Sequence, residues 1–225
     1  MLLWARLCNV RSRLLSTMIL FIKRQFRTAY HQHSMSTFTA VWLLPIVTLI
    51  VASSTGQLLA TALIPHSLSH AEITMGFALV MVAIGISLSL MILTVYLRRL
   101  LIDGLPDVGA IISCFLPLGP CGQAGYSLLL AGENFKRILP RGAGTVLADE
   151  LAGRVLNIIC FLGAVFLWCM SLWWLGSALT AIVHTIVRGD KLTFKLPFWG
   201  LVFPNVRKMK FHYACLVLLT CLCRV

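Results

Sequence analysis

The chain has 225 residues, of which 59% are hydrophobic and only 12% are charged, and its mean hydropathy is +0.92. Ordinary soluble domains carry about a quarter charged residues. This composition excludes a disordered chain, a collagen-like fibre and a secreted disulfide scaffold, and it is atypical of a soluble enzyme. The length predicts one domain or a fragment of one. So much apolar surface indicates a protein whose solvent is the lipid bilayer.

The charge balance is strongly basic, with 19 Lys and Arg against 7 Asp and Glu. A basic excess is typical of proteins that meet nucleic acid, anionic lipid or an anionic substrate. Because the cations lie in short loops between apolar runs rather than on one solvated face, we expect no nucleic-acid partner. Two interpretations stay open. The cations mark the topology of membrane helices, or some of them also raise the local anion concentration.

Long charge-free runs predict an all-α polytopic membrane protein with about 4–5 transmembrane helices, because a spanning helix needs about 20 apolar residues. A basic segment, 1–37, precedes the transmembrane region, 38–206, and an atypical tail, 207–225. The predicted spans lie at about 39–62, 73–97, 108–132, 155–180 and 196–206 onward. The fifth span is incomplete, because cations follow a short apolar run, at Arg207, Lys208 and Lys210.

Lys and Arg also predict the orientation of the chain. A cytoplasmic N-terminal segment places eleven of them in cytoplasmic loops and four outside, before the C-terminal tail is counted. The predicted spans hold no Asp, Glu, Lys or Arg, which disfavours a proton pump or a sodium-coupled carrier. The same absence leaves no acid, base or metal set for an intramembrane enzyme. A neutral lining favours passive or weakly coupled passage of an anion.

Cysteine and histidine patterns predict neither a cofactor nor a metal site. The eight cysteines form no CxxC pair, and most of them fall inside apolar runs. We therefore expect them to pack as small hydrophobic residues. His31 and His33 form an HxH pair in the basic segment, but such a pair is a weak metal signal, and we expect both side chains to be solvated.

Helix breakers and small polar residues are concentrated in the first and third spans. The first contains Pro45, Ser53, Ser54 and Gly56, and the third contains Pro117, Gly119, Pro120, Gly122 and Gln123. Proline removes a backbone donor and kinks a helix. Two interpretations again stay open. Small residues allow tight helix packing, or the kinks open a pore in which freed N–H groups of the third span face a passing anion.

Three stretches carry a family resemblance, and they lie at 33–60, 114–132 and 196–205. The sequence motif LPLGPCGQAGY, within 114–132, is the part most specific to one family. Together the stretches resemble the tellurite-resistance/dicarboxylate transporter family, also called the voltage-dependent anion channel family, and within it the fungal sulfite efflux pumps. The resemblance implies a partial version of a ten-helix fold, in which five hairpins surround a pore, and assembly as a trimer.

Further expectations follow from the resemblance. The spans of this chain correspond to the fifth through the start of the ninth family helix, so the first, third and fifth runs line the pore. Phe203 is the candidate gate. The implied function is efflux of sulfite or bisulfite across the plasma membrane. Two alternatives remain: transport of a C4-dicarboxylate such as malate, or a truncated C-terminal half that sits in the membrane without transporting.

Overall fold

The computed structural model describes residues 40–106, 111–139, 149 and 151–189. Four α-helices and two short 3-10 segments make up this part of the chain, and no strand occurs in it. The helices are α1 (Leu44–Leu63), α2 (Leu68–Asp103), α3 (Leu118–Ile138) and α4 (Ala152–Val187), and the 3-10 segments are Ala40–Leu43 and Ile111–Phe115. The predicted all-α class is confirmed. The basic segment, the fifth span, the tail, His31, His33 and Phe203 lie outside the described residues.

Three of the described helices are long and apolar enough to cross a membrane: α1 with the preceding 3-10 turn, α2 and α4. Helices α2 and α4 have 36 residues each, which corresponds to about 54 Å of helix. The hydrocarbon core of a bilayer is only about 30 Å thick. Both helices therefore extend beyond the predicted spans 73–97 and 155–180, and their ends lie outside the hydrocarbon.

Helix α3 differs from the other three because neighbouring protein, rather than lipid, surrounds most of it. It packs against α1, α2 and α4, and its residues from Leu118 through Gly125 are all buried. A helix in this position does not need an apolar face toward lipid, which explains why polar residues such as Gln123 and Asn134 are tolerated. The predicted span 108–132 divides here into the 3-10 segment Ile111–Phe115 and α3.

The prolines begin helices rather than kink them, which corrects one expectation. Pro45 lies in the first turn of α1, directly after the 3-10 turn. Pro117 is the N-terminal capping residue of α3, and Pro120 lies in the first turn of that helix. The first four N–H groups of a helix have no partner within the helix, so a proline at these positions loses no helical hydrogen bond.

The four helices form two hairpins, α1–α2 and α3–α4, which meet along α1 and α3. Close packing inside the first hairpin depends on glycine. A Cβ built on Gly85 of α2 would lie 2.5 Å from Ile50 Cγ1 of α1. A Cβ built on Gly56 of α1 would lie 2.9 Å from Ala78 Cβ of α2. Small residues thus let the two helices approach each other.

Gly85→Ala should lower the stability of the hairpin, by about 1–3 kcal/mol, because the added methyl group overlaps the Ile50 side chain. Gly76 lies on the same helix, and a Cβ built there meets nothing within 4 Å. Gly76→Ala is therefore the matched control and should be neutral or slightly stabilising. Thermal unfolding in detergent measures both variants. Equal unfolding temperatures for the two variants would contradict the packing described here.

Candidate functional site

Two serines of α1 contact α3 through buried hydrogen bonds. The Ser53 hydroxyl donates to the Ala78 carbonyl of α2 at 2.7 Å and lies 2.7 Å from the Ser127 hydroxyl of α3. Because the single proton of Ser53 is committed to Ala78, Ser127 donates to Ser53. One residue further along, the Gln123 amide donates to the Ser54 hydroxyl. The four polar side chains, those of Ser53, Ser54, Gln123 and Ser127, are each at most 3% exposed. Ala78 takes part only through its backbone carbonyl.

A second group of hydrogen bonds joins the same two helices farther along. Asn134 Nδ2 donates to the Gln57 carbonyl at 3.0 Å and to Gln57 Oε1 at 3.1 Å. The Thr61 hydroxyl donates to Asn134 Oδ1 at 2.8 Å. Gln57 Nε2 in turn reaches the Met75 carbonyl of α2 at 3.4 Å. Gln57 and Asn134 are fully buried, so a single polar cluster fixes α1, α2 and α3 at this level.

We call the two groups together the α1–α3 ladder; it comprises Ser53, Ser54, Gln57, Thr61, Gln123, Ser127 and Asn134. The partners advance in the same direction along both helices, so α1 and α3 run parallel. The ladder contains hydroxyl and carboxamide groups but no ionisable side chain. Its polar interior is therefore electrically neutral, as the sequence predicted for the spans.

The ladder leaves one polar atom without a partner among the described residues, namely Gln123 Oε1. The torsion of a terminal amide is broad and roughly two-fold. A half-turn of the Gln123 amide would present its N–H groups at the position that Oε1 now occupies. The Ser54 hydroxyl, which donates to the Val51 carbonyl at 2.9 Å, would have to turn toward Gln123 to bond the amide oxygen. Gln123 therefore has an amide end that is available to a transient partner, whereas both ends of Gln57 are engaged.

The structure brings together some of the predicted site residues and separates others. Ser53, Ser54 and Gln123 meet in the ladder. Gly56 faces Ala78 of α2, so it serves the hairpin contact. Pro45 is half-buried at the start of α1, and the four other predicted residues of α3 are buried around its first turn: Pro117, Gly119, Pro120 and Gly122. The N–H of Gly119 already donates to the Leu116 carbonyl at 3.1 Å.

Sequence reasoning missed four ladder residues, namely Gln57, Thr61, Ser127 and Asn134. The signal for them was present, since polar residues recur at helical spacing within otherwise apolar runs. It also missed a buried cation. Arg99, at the end of α2, is 8% exposed, and its Nη1 donates to the Gly104 carbonyl at 3.1 Å. That contact satisfies a carbonyl just beyond the helix end, where Gly104 takes a positive φ of 77°.

Comparison with known proteins identifies the class of this membrane protein. The family model for the voltage-dependent anion channel matches residues 1–207. The chain therefore belongs to the voltage-dependent anion channel family, and the family resemblance seen in the sequence is confirmed. No solved structure matches the chain.

Curated relatives of this chain carry the name sulfite efflux pump SSU1. The protein of Arthroderma benhamiae is 36% identical over 174 residues, which cover 77% of this chain and 44% of that relative. The protein of Trichophyton rubrum is 35% identical with the same coverage. The protein of Candida albicans is 29% identical over 177 residues, which cover 73% of this chain and 35% of that relative. The chain thus spans less than half the length of the curated relatives it matches.

Proposed function

We propose that this chain is part of a transporter that exports sulfite or bisulfite across the plasma membrane, and that it is not an enzyme. Its membership of an anion channel family and its similarity to three sulfite efflux pumps support the class of substrate. The basic N-terminal segment lies in the cytoplasm in this proposal, where it raises the local anion concentration. The lipid bilayer and two further copies of the complete protein are the proposed partners.

The proposed anion path follows α1 and the start of α3, and helices beyond this chain complete its wall. The observation that carries this placement is the neutral, buried ladder between two parallel helices. Gln123 supplies the polar group that is not fully engaged within the ladder. The other proposed path residues are Pro45, Ser53, Ser54, Gly56, Pro117, Gly119, Pro120 and Gly122, with Phe203 as the gate.

A neutral path suits an anion that moves down its electrochemical gradient. Hydroxyl and amide groups replace part of the hydration shell, and they bind weakly enough for the ion to leave again. A membrane potential that is negative inside drives each negative charge outward by about 2.3 kcal/mol per 100 mV. Export in this direction therefore needs no ionisable side chain within the ladder.

Expression in cells that lack a sulfite exporter tests the substrate. The complete reading frame that contains this sequence should restore growth on sulfite, because the exported anion no longer accumulates in the cytoplasm. The 225-residue chain expressed alone shows whether it transports without the remaining helices. Unchanged sulfite sensitivity with the complete reading frame, at matched membrane expression, would refute the proposal. Restored uptake or release of malate instead would assign the path to dicarboxylates.

A further inference from the structure

Helices α2 and α4 leave a groove between them, because both pack against α3 and hardly against each other. A small cavity of about 10 Å³ lies in this groove. Helix α2 contributes Ile86, Leu90 and Leu93 to its lining, α4 contributes Leu167, and α3 contributes Pro120 and Ala124. The surface exposed in the cavity is entirely apolar. We call this feature the α2–α4 groove.

Three aromatic rings form a row at one end of the α2–α4 groove. On α2, Tyr96 follows Leu93 by three residues and therefore lies on the same face of the helix. The Tyr96 ring stacks on the Trp174 ring of α4, with centroids 5.8 Å apart. The Trp173 ring meets the Trp174 ring edge to face, with centroids 5.0 Å apart. Because Trp173 is 51% exposed, the aromatic row reaches from α2 to the outer surface of α4.

The aromatic row lies where the apolar part of α2 ends. The charge-free run of this helix stops at Arg98, two residues after Tyr96. Tyrosine and tryptophan are enriched at this depth of a membrane, because their rings are amphipathic. Arg98 is exposed, whereas the neighbouring Arg99 is buried and donates to the Gly104 carbonyl. The groove therefore leads from an apolar cavity, past the rings, to an exposed cation at the membrane surface.

The membrane surface at which α2 and α4 end is more positive than the opposite surface. Both helices run in the same direction, because each is antiparallel to its hairpin partner and α1 and α3 are parallel. Among the described residues, three cations and one acid lie at this surface, whereas three cations and three acids lie at the opposite surface. The first set is Arg98, Arg99, Arg188 and Asp103, and the second is Lys136, Arg137, Arg154, Glu72, Glu133 and Asp149. An excess of cations attracts anionic headgroups.

We propose that the α2–α4 groove binds one anionic phospholipid, whose acyl chain lies over the apolar cavity and whose phosphate lies near Arg98. Hydrocarbon suits the cavity, because the surface exposed there offers no hydrogen bond to a polar headgroup. A space of about 10 Å³ admits the edge of one acyl chain and no bulkier group. The aromatic row then lies at the depth of the ester groups of the lipid.

A second copy of the chain fits this surface less well than a lipid does. Copies of a membrane protein share one orientation, so a second copy would bring the same excess of cations to the same surface, and like charges repel. An anionic headgroup instead neutralises Arg98. No residue of the α1–α3 ladder lines the cavity, so the lipid site is separate from the ladder. The proposal holds whatever anion the protein transports.

Quenching of tryptophan fluorescence by brominated lipid tests the preference for an anionic headgroup. The full chain is placed in phosphatidylcholine vesicles, and part of the lipid is replaced by phosphatidylserine or phosphatidylcholine that carries bromine near the headgroup end of its acyl chains. The signal of Trp173 is the fluorescence that Trp173→Phe removes. Brominated phosphatidylserine should quench this signal at a concentration at least about threefold lower than brominated phosphatidylcholine. Equal quenching by the two lipids would overturn the proposal. The absence of quenching by either lipid would overturn it too and assign the surface to another protein segment.

Two arginine variants locate the phosphate. Arg98→Gln removes the cation beside the aromatic row, whereas Arg154→Gln removes another exposed cation at the opposite membrane surface. Arg98→Gln should abolish the preference for brominated phosphatidylserine, because the phosphate loses its partner. Arg154→Gln should leave that preference unchanged. A preference that survives Arg98→Gln would refute the contact between Arg98 and the phosphate.

Two isoleucine variants test the position of the acyl chain. Ile86→Phe fills the cavity, whereas Ile84→Phe adds the same volume on the outer surface of α2, where Ile84 is 36% exposed. Ile86→Phe should raise the concentration of brominated phosphatidylserine that half-quenches Trp173 at least about threefold, because the chain loses apolar contact. Ile84→Phe should not change it. Circular dichroism shows whether both variants remain helical. An unchanged half-quenching concentration in helical Ile86→Phe would overturn the proposed position of the chain.

Discussion

Gln123→Glu is expected to reduce sulfite efflux at least about tenfold while leaving the protein in the membrane. The substitution keeps the length of the side chain and places a carboxylate at the amide that the ladder leaves partly unengaged. At a separation of about 4 Å, two like charges near a protein surface repel each other by about 4 kcal/mol. An anion that passes Gln123 meets this repulsion when the introduced carboxyl group is ionised. Efflux from sulfite-loaded cells that express the complete reading frame measures the effect.

Gln123→Met is the control at the same position. It removes the hydrogen bond to Ser54 but adds no charge, so it should retain much more efflux than Gln123→Glu. Membrane expression and oligomeric state of the two variants are compared in parallel. Equal efflux by both variants would show that the transported anion does not pass close to residue 123. The proposed path along the start of α3 would then be wrong.

Asn134→Ala is expected to lower the stability of the bundle by about 2–4 kcal/mol. Asn134 is fully buried and makes three hydrogen bonds, two to Gln57 and one from Thr61. Its removal leaves Gln57 Oε1 without its donor and opens a small cavity, whereas the Thr61 hydroxyl keeps the Gln57 carbonyl as an acceptor at 3.0 Å. Each buried polar group left unsatisfied costs about 1–3 kcal/mol, although interhelical hydrogen bonds in membranes are often at the low end. Unfolding of the purified protein in mixed micelles, followed by circular dichroism, measures the loss.

Thr55→Val is the matched control for Asn134→Ala on the facing helix. The Thr55 hydroxyl is exposed and donates to the Val51 carbonyl of its own helix at 2.9 Å. Its replacement by a side chain of the same shape should change stability by less than about 0.5 kcal/mol. A loss for Asn134→Ala no larger than that of Thr55→Val would show that the second group of ladder bonds does not hold α1 and α3 together.

The class of the fold and the approximate position of the described helices were predictable from the sequence, because the bilayer imposes a length of apolar chain that is visible as a charge-free run. The ends of the helices were not predictable in the same way. Helix α2 continues past the predicted limit at 97 to Asp103, since its backbone hydrogen bonds persist outside the hydrocarbon. The burial of Arg99 depends on the turn at Gly104, which hydropathy does not report.

Proline alone did not reveal whether it kinks a helix or begins one. Pro45 and Pro120 lie within apolar runs that read as continuous spans. In the structure, each lies in a first turn that follows a 3-10 segment. Proline lacks a backbone N–H whether it lies inside a helix or in the first turn of one. Only the conformation of the backbone before the proline distinguishes these two positions.

The ladder was predicted in part. Ser53, Ser54 and Gln123 were identified as interior polar residues, but their partners depend on which helices meet and in what register. Packing at Gly85 and Gly56 determines how α1 meets α2, and no local pattern of one helix specifies how α1 meets α3. Gln57 and Asn134 were overlooked although each follows another ladder residue of its own helix at helical spacing. Their pairing becomes visible only when α1 and α3 are placed side by side.

Sulfite flux through the purified protein tests the central claim most directly. The complete reading frame that contains this sequence is reconstituted in liposomes, and the rate of sulfite release is measured while the membrane potential is varied. The account predicts release that increases when the interior is made negative and that falls at least about tenfold in Gln123→Glu, because a carboxylate then repels the anion. Release of sulfite at the rate of protein-free liposomes at every potential would contradict it.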